Sequence, residues 1–353
     1  MLFAVLLAGG EGKRLWPISR VGQEKHLRGE VSLLERTFQR VSEAVPAERV
    51  FIVTTQAQKD TVVGKLGGAV RAENVLAEPF ARGTAAATLF AAINIARYDP
   101  NPVLIVLPCD HEIKDTSAFI QTIGAGLKYL AQNDVFVAFG APARSPETRF
   151  GYVQVAEELK APLGTLYAVK RFVEKPNATS AQSMLASGGV FWNTGIYALR
   201  ARSLLNAAKQ HLPTHYEAFM RIFDSFGTRA EEQTILETYK ALPEISLDKA
   251  LMEKVKDLVM VEIGFEWADV GGHAELPDLR EAGDGNRAGG DFVALEAKNC
   301  VAWTDSGLVA LLGVSGLTVV RCGDVVLVAR SDAMDRLAQL KEKLKKAGLD
   351  RYA

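Results

Sequence analysis

Short apolar runs alternate with helical patterns from the N-terminus to about residue 140. The apolar runs have the length and composition of strands buried on both faces of a sheet. Ser32 is followed three residues later by Glu35, a capping box that predicts the start of a helix. This alternation predicts an α/β fold, with a Rossmann-like, mostly parallel sheet and helices on both faces. The predicted strands are 3–7, 50–54, 103–107 and 135–139, and further helices are predicted at 84–96 and 117–130.

The pattern changes after Gly151, where strands and helices no longer alternate regularly. We interpret this middle part as an insertion packed on the first half of the chain. The predicted strands here are 152–155, 167–173 and 195–199, with a helix near 179–186 and helical segments between 201 and 254.

A glycine-rich polar stretch at 282–291 is the best candidate for a domain boundary. It divides the chain into a large domain, 1–281, and a small one, 282–353. The small domain contains short β-rich runs separated by turns, which predict an all-β unit. A terminal helix is predicted from Ser331, with lysines near its end and Gly348 just beyond.

Composition excludes several classes of protein. Apolar residues make up 48% and the net charge is −1, which argues against a dedicated nucleic-acid binder. The apolar N-terminus lacks a positive n-region, so a buried strand is favoured over a signal peptide. No run approaches the roughly 20 apolar residues of a membrane helix. Cys109, Cys300 and Cys322 form no CxxC pair, so we expect reduced thiols, no zinc site and a cytoplasmic protein.

A glycine-rich loop follows the first strand. Its glycines let backbone N–H groups face an anion, and Arg14 adds a forked cation suited to phosphate oxygens. It is not a Walker A loop, and Leu15 stands where a dinucleotide fingerprint needs a third glycine. A glycine-rich turn alone is weak support for phosphate binding. The candidate nucleotide-binding residues of the loop are Ala8, Gly9, Gly10, Gly12, Lys13 and Arg14.

The longer string from Leu7 through Trp16, Pro17 and Arg20 to Lys25 resembles the signature of sugar nucleotidyltransferases. Its LWPxSR part resembles the mannose-1-phosphate guanylyltransferase branch of that family. The family usually has proline before the lysine and glutamine after it, whereas Glu24 and His26 stand here. The resemblance implies that Arg14 and Lys25 hold a triphosphate.

Two later segments add a base site and a metal site. Residues 78–85 resemble the family's EP..R.TA segment, which implies base and ribose contacts; an N-capped buried helix is the plainer interpretation, and Thr84 could serve as that cap. Asp110 follows a strand at the edge where α/β sheets bind ligands. By resemblance, Asp110 and Asp269 of the WxDVG motif hold a catalytic Mg²⁺. The implied nucleotide contacts are Glu78, Pro79, Gly83, Thr84 and Asp110.

The sugar side is implied by three further motifs: a glycine–tyrosine step, FxEKP and WNSG, the last with threonine for serine. By themselves an exposed Glu–Lys pair and a turn before a strand would explain the last two. The segment 245–254 resembles ISxDxxxMEK and would shape the sugar pocket. The implied sugar-binding residues are Gly151, Tyr152, Glu174, Lys175, Asn193 and Asp269.

The resemblance implies transfer of GMP from GTP to mannose 1-phosphate, which gives GDP-mannose and pyrophosphate. The alternatives are a sister enzyme with another base or hexose, such as glucose 1-phosphate, and a regulatory subunit without catalysis. The β-rich tail resembles the β-helix of monofunctional relatives, so we expect a homodimer without a fused isomerase. The implied catalytic residues are Arg14, Lys25, Asp110, Lys175 and Asp269.

Overall fold

The computed structural model describes residues 1–10, 12–19, 25–27, 31–161 and 163–352. For Lys13 and Lys25 it describes the backbone and not the side chain. The strands are β1 (Leu2–Leu7), β2 (Val50–Thr55), β3 (Val75–Glu78), β4 (Val103–Pro108), β5 (His111–Ile113), β6 (Phe136–Pro142), β7 (Tyr152–Leu159), β8 (Leu166–Val173), β9 (Val190–Arg200), β10 (Leu258–Glu262), β11 (Trp267–Asp269), β12 (Arg280–Glu281), β13 (Arg287–Leu295), β14 (Val301–Leu312), β15 (Leu317–Cys322) and β16 (Val325–Arg330).

The α-helices are α1 (Leu33–Ser42), α2 (Lys59–Leu66), α3 (Gly83–Ile95), α4 (Thr116–Gln132), α5 (Ala178–Ser187), α6 (Ala201–His211), α7 (Pro213–Ser225), α8 (Glu231–Ala241) and α9 (Leu337–Lys346). None of the described helices is long and apolar enough to cross a membrane.

The described residues cluster into two compact units. Unit 1 comprises Met1–Gly9, Glu35–Cys109 and Ile113–Trp267, and unit 2 comprises Gly10–Leu34, Asp110–Glu112 and Ala268–Ala353.

Unit 1 is built on a nine-stranded sheet in the order β3-β2-β1-β4-β9-β6-β10-β8-β7. The strands β3, β2, β1 and β4 are parallel, as the alternating pattern predicts. The long strand β9 lies antiparallel between β4 and β6, and β7 and β8 add antiparallel pairs. The middle of the chain therefore extends the main sheet instead of forming a separate insertion. The predicted α/β fold is confirmed, with a mixed sheet.

The core of unit 1 explains the alanine-rich stretch after residue 83. Helix α3 is buried continuously from Ala85 to Ile95, and it contacts both β1 and β2. A helix hidden on all sides can be apolar all round, and small side chains let it approach the sheet closely. Its first turn is therefore held rigidly beside the carboxyl ends of the strands, where α/β sheets bind ligands.

Unit 2 contains stacked β-strands. Strands β13, β14 and β15 pair in parallel, and β16 pairs antiparallel with β15. The β-rich prediction is confirmed. The predicted start of the terminal helix at Ser331 was wrong. Ser331 begins a 3₁₀ segment (Ser331–Arg336), and α9 starts six residues later at Leu337, without a side-chain cap. Gly348 has φ +69°, as expected of a residue just past a helix end.

Candidate active site

The glycine-rich loop is fixed to the sheet at its first residue. The backbone N–H of Ala8 donates to the Val53 carbonyl at 2.7 Å, and the Thr54 hydroxyl donates to the Ala8 carbonyl at 2.9 Å. Thr54 is fully buried, so this contact is shielded from water. Gly9 and Gly10 follow directly.

A short 3₁₀ helix, Lys13–Leu15, then places Arg14 at the surface. Gly12 precedes it in the left-handed conformation, with φ 60°. The side chains of Lys13 and Lys25 lie outside the described part of the chain, so their predicted phosphate contacts stay predictions. The guanidinium of Arg14 is exposed, as a group that meets a charged ligand must be.

Asp110 and Asp269 come together although they are distant in the sequence. Asp110 directly precedes β5, and Asp269 is the last residue of β11, which pairs with β5. The Val270 N–H donates to the Asp110 carbonyl at 3.2 Å. One ligand atom from each of Asp110, His111 and Asp269 lies within 4.8 Å of the other two. The His111 Nε2 is 3.7 Å from Asp110 Oδ1.

This carboxylate pair fits a hard divalent cation. Mg²⁺ prefers oxygen ligands, and it is usually held by one or two carboxylates, with waters and substrate phosphates completing the shell. The Asp110 side chain is 34% exposed, which leaves room for those other ligands. The neighbouring His111 ring can form hydrogen bonds with carboxylate oxygens or with waters around the ion, and such bonds orient metal ligands.

Arg14 lies close to Asp269 of this carboxylate pair. A Cβ atom added at Gly271 would come within 3.2 Å of Arg14 Nη1 and within 3.2 Å of Asp269 Oδ2. The guanidinium and the carboxylate therefore both lie against the backbone of Gly271, where a larger residue would displace them. A cation for phosphate oxygens thus stands beside a candidate cation site, an arrangement suited to phosphoryl chemistry.

Glu78 is a buried carboxyl group at the end of β3. Burial raises its pKa to about 8, and the hydroxyl of Tyr239 partly opposes this shift. Its Oε2 lies 3.7 Å from the position that a Cβ on Gly9 would occupy. Glu78 is therefore close to the glycine-rich loop, in an environment that favours its protonated form.

The segment 78–85 packs on the ISxDxxxMEK segment, which corrects the expected role of Thr84. Thr84 lies inside α3, whose N-cap is Arg82, and its hydroxyl accepts from the Leu247 N–H at 2.8 Å. A Cβ on Gly83 would lie only 2.3 Å from the Ile245 carbonyl oxygen. Gly83 therefore makes room for the Ile245 backbone, and Thr84 anchors that segment instead of capping the helix.

A second cluster surrounds Gly151. A Cβ there would lie 2.7 Å from Glu174 Oε2, and the Gly151 carbonyl accepts from the Asn193 N–H at 2.8 Å. Glu174 Oε1 pairs with Lys175 Nζ at 2.8 Å. Burial raises the pKa of Glu174, and the Asp248 carboxylate adds to the shift while Lys175 opposes it. The predicted residues Gly151, Glu174, Lys175 and Asn193 are thus brought together.

Asn193 holds this cluster together. Its Nδ2 donates to Asp248 Oδ1 at 2.8 Å and to the Tyr197 hydroxyl at 2.7 Å, and its Oδ1 accepts from the Gly195 N–H. The Tyr197 hydroxyl also donates to Asp248 Oδ1. Both amide protons of Asn193 are therefore used within the protein, and Asp248 is the polar group that they position.

Tyr152 does not point toward this cluster. Its side chain is fully buried among Ala181, Met184 and Val190, and its hydroxyl donates to the Ser145 carbonyl at 3.2 Å. A contact between this residue and a sugar would have to use its backbone. The sequence could not reveal this, because tyrosine is common both in cores and in binding sites.

Some polar residues near these clusters were not among the predicted site residues. Asp248 and Glu253 belong to the ISxDxxxMEK segment, and Glu253 Oε1 accepts from the Glu174 N–H at 2.7 Å. That motif was the available signal. Thr54 carries no signal in a single sequence, because Ala8, whose carbonyl it binds, is distant along the chain.

The fold agrees with the comparisons. Residues 3–283 match the nucleotidyl transferase family, and residues 290–344 match the MannoseP isomerase/GMP-like β-helix domain. The chain belongs to the nucleotidyl transferase family.

The chain is also similar over nearly its full length to several known proteins. The mannose-1-phosphate guanylyltransferase of Escherichia coli (strain K12) is 32% identical over 98% of this chain and 74% of its own length. The xanthan biosynthesis protein XanB of Xanthomonas campestris pv. campestris (strain ATCC 33913) is 35% identical over 98% of this chain and 73% of its own length. A crystal structure from Thermus thermophilus, described as a mannose-1-phosphate geranyltransferase, matches with a TM-score of 0.83 and 32% identity over 98% of this chain and 99% of its own.

Proposed function

We propose that this chain transfers the GMP group of GTP to α-D-mannose 1-phosphate, giving GDP-mannose and pyrophosphate. The observation that carries the proposal is the grouping of Arg14, Asp110 and Asp269 in a member of the nucleotidyl transferase family. The choice of mannose and guanine is supported by the full-length similarity to mannose-1-phosphate guanylyltransferases.

The reaction needs no general base, because the attacking group is an anionic oxygen of the sugar phosphate. That oxygen forms a bond to the α-phosphorus of GTP, while the bond to the oxygen bridging the α- and β-phosphorus breaks. Pyrophosphate leaves with the electron pair. The obstacle is repulsion between two anions and the charge that develops on the leaving group. Positioning and electrostatic stabilisation therefore provide most of the rate enhancement.

The charged residues divide this work between them. Arg14 and the amides of the glycine-rich loop hold the triphosphate and stabilise the leaving pyrophosphate, and Lys25 is proposed for the same task. Lys175 holds the attacking phosphate. Asp110 and Asp269 would hold Mg²⁺, which when bound would neutralise phosphate charge and help to orient the substrates.

The guanine base is proposed to contact Glu78. Guanine presents two neighbouring donors, N1–H and the 2-amino group, and a carboxylate accepts both, whereas adenine presents no such pair. Pro79 and the first turn of α3, at Gly83 and Thr84, are proposed to complete the base site through van der Waals contacts. Because Glu78 is nearly buried, an unmatched base would leave it unpaired, and that cost gives specificity.

Mannose is proposed to bind at the Gly151 cluster. Glu174 and Asp248 offer carboxylate oxygens to sugar hydroxyls, and Asn193 fixes the position of Asp248. The ion pair of Lys175 with Glu174 sets a cation at the edge of the same cluster, where the sugar phosphate would lie.

A grid of four nucleoside triphosphates against several sugar 1-phosphates tests the assignment. We expect Mg²⁺-dependent pyrophosphate release to be greatest with GTP and mannose 1-phosphate. Greater release with another pair would change the assigned substrates but leave the assigned reaction, nucleotidyl transfer, in place. Binding of GDP-mannose without turnover of any pair would instead identify a regulatory subunit.

The metal carboxylate is tested by Asp110→Asn. Losing one oxyanionic ligand should reduce kcat by about 100-fold or more while the protein stays folded. The control is Asp332→Asn, because Asp332 pairs with Arg330 in an exposed ion pair. Unchanged Mg²⁺-dependent turnover in a folded D110N variant would contradict the role of Asp110.

We also propose a domain arrangement and a homodimer. Residues 1–281 would carry the chemistry, and residues 282–353 would carry the contact with a second copy. In that small domain Leu295 pairs with Leu312 on the outward side of β13 and β14, and both are more than 60% exposed. The use of GTP as a substrate supports a cytoplasmic location.

A further inference from the structure

Lys175 has an unusual backbone conformation. Its φ is +46°, and among the described residues of unit 1 it is the only residue other than glycine in the left-handed region. A residue with a Cβ atom is disfavoured there, and the proline that follows, Pro176, restricts the backbone of Lys175 further. Such a conformation persists only where the surrounding structure holds it. The contacts on either side of Lys175 therefore matter for its placement.

The backbone directly before Lys175 is held by a side chain. Strand β8 ends at Val173, so the strand ladder stops one residue before Glu174. The Glu174 N–H instead donates to Glu253 Oε1 at 2.7 Å. The carboxylate of the same residue pairs with the lysine, since Glu174 Oε1 lies 2.8 Å from Lys175 Nζ. Glu253 therefore fixes the peptide group that leads into the turn at Lys175.

Glu253 reaches this position because it follows a π-helical turn, Asp248–Met252. Its N–H donates to the Asp248 carbonyl at 3.0 Å, and a bond between residues five apart is characteristic of a π-helix. In an α-helix, side chains five residues apart point about 140° away from each other, whereas the wider turn brings them closer to one face. Asp248 Oδ1 accepts from Asn193 and Glu253 Oε1 accepts from Glu174. Both carboxylates thus meet the proposed sugar site.

The π-helical turn is anchored in the core of unit 1. Residues 250–252 have at most 1% of their surface exposed. The N–H of Leu247, directly before the turn, donates to the Thr84 hydroxyl at 2.8 Å. Glu253 itself is exposed, so its carboxylate contributes little to the core. An exposed acceptor on a firmly held backbone is suited to fixing a neighbouring loop.

We propose that Glu253 is a positioning residue, whose hydrogen bond to the Glu174 N–H holds Lys175 in the left-handed conformation and so places its ammonium group for the sugar phosphate. The inference rests on the proposed function, because that function assigns the attacking phosphate to Lys175. Without the acceptor, the peptide group before Lys175 can rotate, and the lysine relaxes toward an ordinary conformation. A displacement of about 1 Å in such a cation is enough to slow the reaction.

Two substitutions separate the hydrogen bond from the charge of Glu253. Glu253→Gln keeps an acceptor oxygen at the same distance from the backbone and removes the charge. Glu253→Met keeps the length of the side chain and removes both. The matched control is Glu231→Met, because Glu231 Oε2 also accepts from a backbone N–H, that of Gly227, at 2.7 Å. That hydrogen bond lies in the connection between α7 and α8, outside the proposed sites.

We expect E253M to raise the KM for mannose 1-phosphate by about 10-fold and to change the KM for GTP by less than about twofold. Calorimetric titration should show weaker binding of GDP-mannose by a similar factor. E253Q should stay within about threefold of the wild type in both measurements. E231M should leave both unchanged, and its Tm shows what the loss of such a bond costs the fold alone.

A double-mutant cycle with Lys175→Met tests whether Glu253 acts through the lysine. Calorimetry with GDP-mannose is the measurement, because it does not require turnover. Glu253→Met should weaken binding by about 10-fold in the wild type and by less than about twofold in K175M. Equal losses in the two backgrounds would overturn the proposal, because Glu253 would then act on the sugar without Lys175.

A wild-type KM for mannose 1-phosphate in folded E253M would also overturn the proposal, and so would a loss in E253Q as large as that in E253M. If E253M does not fold, Glu253→Ala takes its place. Failure of the proposed function is distinguishable, because the wild type would then release pyrophosphate with no substrate pair and would not bind GDP-mannose.

Discussion

At the scale of single residues, Glu78 is buried, yet its proposed role of accepting two hydrogen bonds from guanine requires the charged carboxylate. With a pKa of about 8, it is largely protonated at neutral pH. In the unfolded chain this carboxyl ionises near its ordinary pKa of 4.5, whereas in the folded protein it stays protonated up to about pH 8. The free energy of unfolding therefore falls as pH rises from 4.5 to 8. The cost above pH 8 is on the order of 5 kcal/mol.

We therefore predict opposite effects of pH on stability and on GTP binding. In the wild type, the KM for GTP should fall as pH rises from 7 toward 8, because the carboxylate is the form that accepts from guanine. In Glu78→Gln this dependence should disappear, GTP should lose its advantage over ATP, and Tm at pH 9 should exceed that of the wild type. Kinetics and thermal unfolding across pH 7–9 measure both effects.

The Glu73→Gln variant is the control, because Glu73 is an exposed carboxylate in the turn before β3 and pairs only at the surface, with Arg71. It should follow the wild type in every measurement. A wild-type KM for GTP that is constant between pH 7 and 9 would remove Glu78 from the base site.

The sequence predicted the chemistry of single residues better than their partners. Asp110 and Asp269 could be paired because the family resemblance implies one metal site for both, and the structure brings them within reach of one ion. Thr84 and Tyr152 have partners, Leu247 and Ser145, that no motif connects to them. Which side chain faces a ligand depends on such tertiary contacts, and these are invisible in one sequence.

At the scale of elements, hydrophobic runs located β1, β2, β4 and β6 within a few residues. The short elements α2 and β3 were not predicted, because eight or four residues carry little periodic signal. The antiparallel entry of β9 between β4 and β6 was also not predictable. Strand order depends on pairing between distant segments, and an apolar run has the same pattern in either direction.

Gly83 gives an element-scale prediction, since it determines how closely the segment 245–254 approaches α3. Gly83→Ala should destabilise the protein by about 2–4 kcal/mol and raise the KM for GTP, because its Cβ would overlap the Ile245 carbonyl. Chemical denaturation and steady-state kinetics measure the two effects.

Gly68→Ala is a matched control, because Gly68 has the same φ of +83° and nothing within 4 Å of an added Cβ. It carries only the cost of the left-handed conformation, about 1–2 kcal/mol. Equal losses of stability in the two variants would mean that contact with Ile245 contributes nothing.

At the scale of the whole molecule, the composition change at 282–291 marks the interval between the two family matches, 3–283 and 290–344. The two compact units of the structure do not coincide with these two stretches of sequence, because unit 2 also contains Gly10–Leu34 and Asp110–Glu112. A sequence pattern can reveal a boundary along the chain. It cannot reveal that a unit is assembled from separated segments, so the functional division at residue 282 stays a prediction.

The outward side of β13 and β14 carries the last prediction. Val293, Leu295, Leu308 and Leu312 are between 51% and 69% exposed there, and Leu295 lies beside Leu312. Apolar side chains grouped in this way are typical of an interface. A second copy is the partner that we propose, because a two-fold axis would place this apolar face against itself.

Replacing both Leu295 and Leu312 by lysine should therefore convert a dimer to a monomer, because each interface would bring together four like charges and lose its apolar contacts. Sedimentation or light scattering gives the mass, and pyrophosphate release shows whether the monomer is active. The control replaces Val326 and Val328, which are 61% and 62% exposed on β16. Since β16 pairs with β15 and not with β14, this control should remain dimeric. A wild-type monomer, or a dimer that survives both leucine substitutions, would contradict the proposed interface.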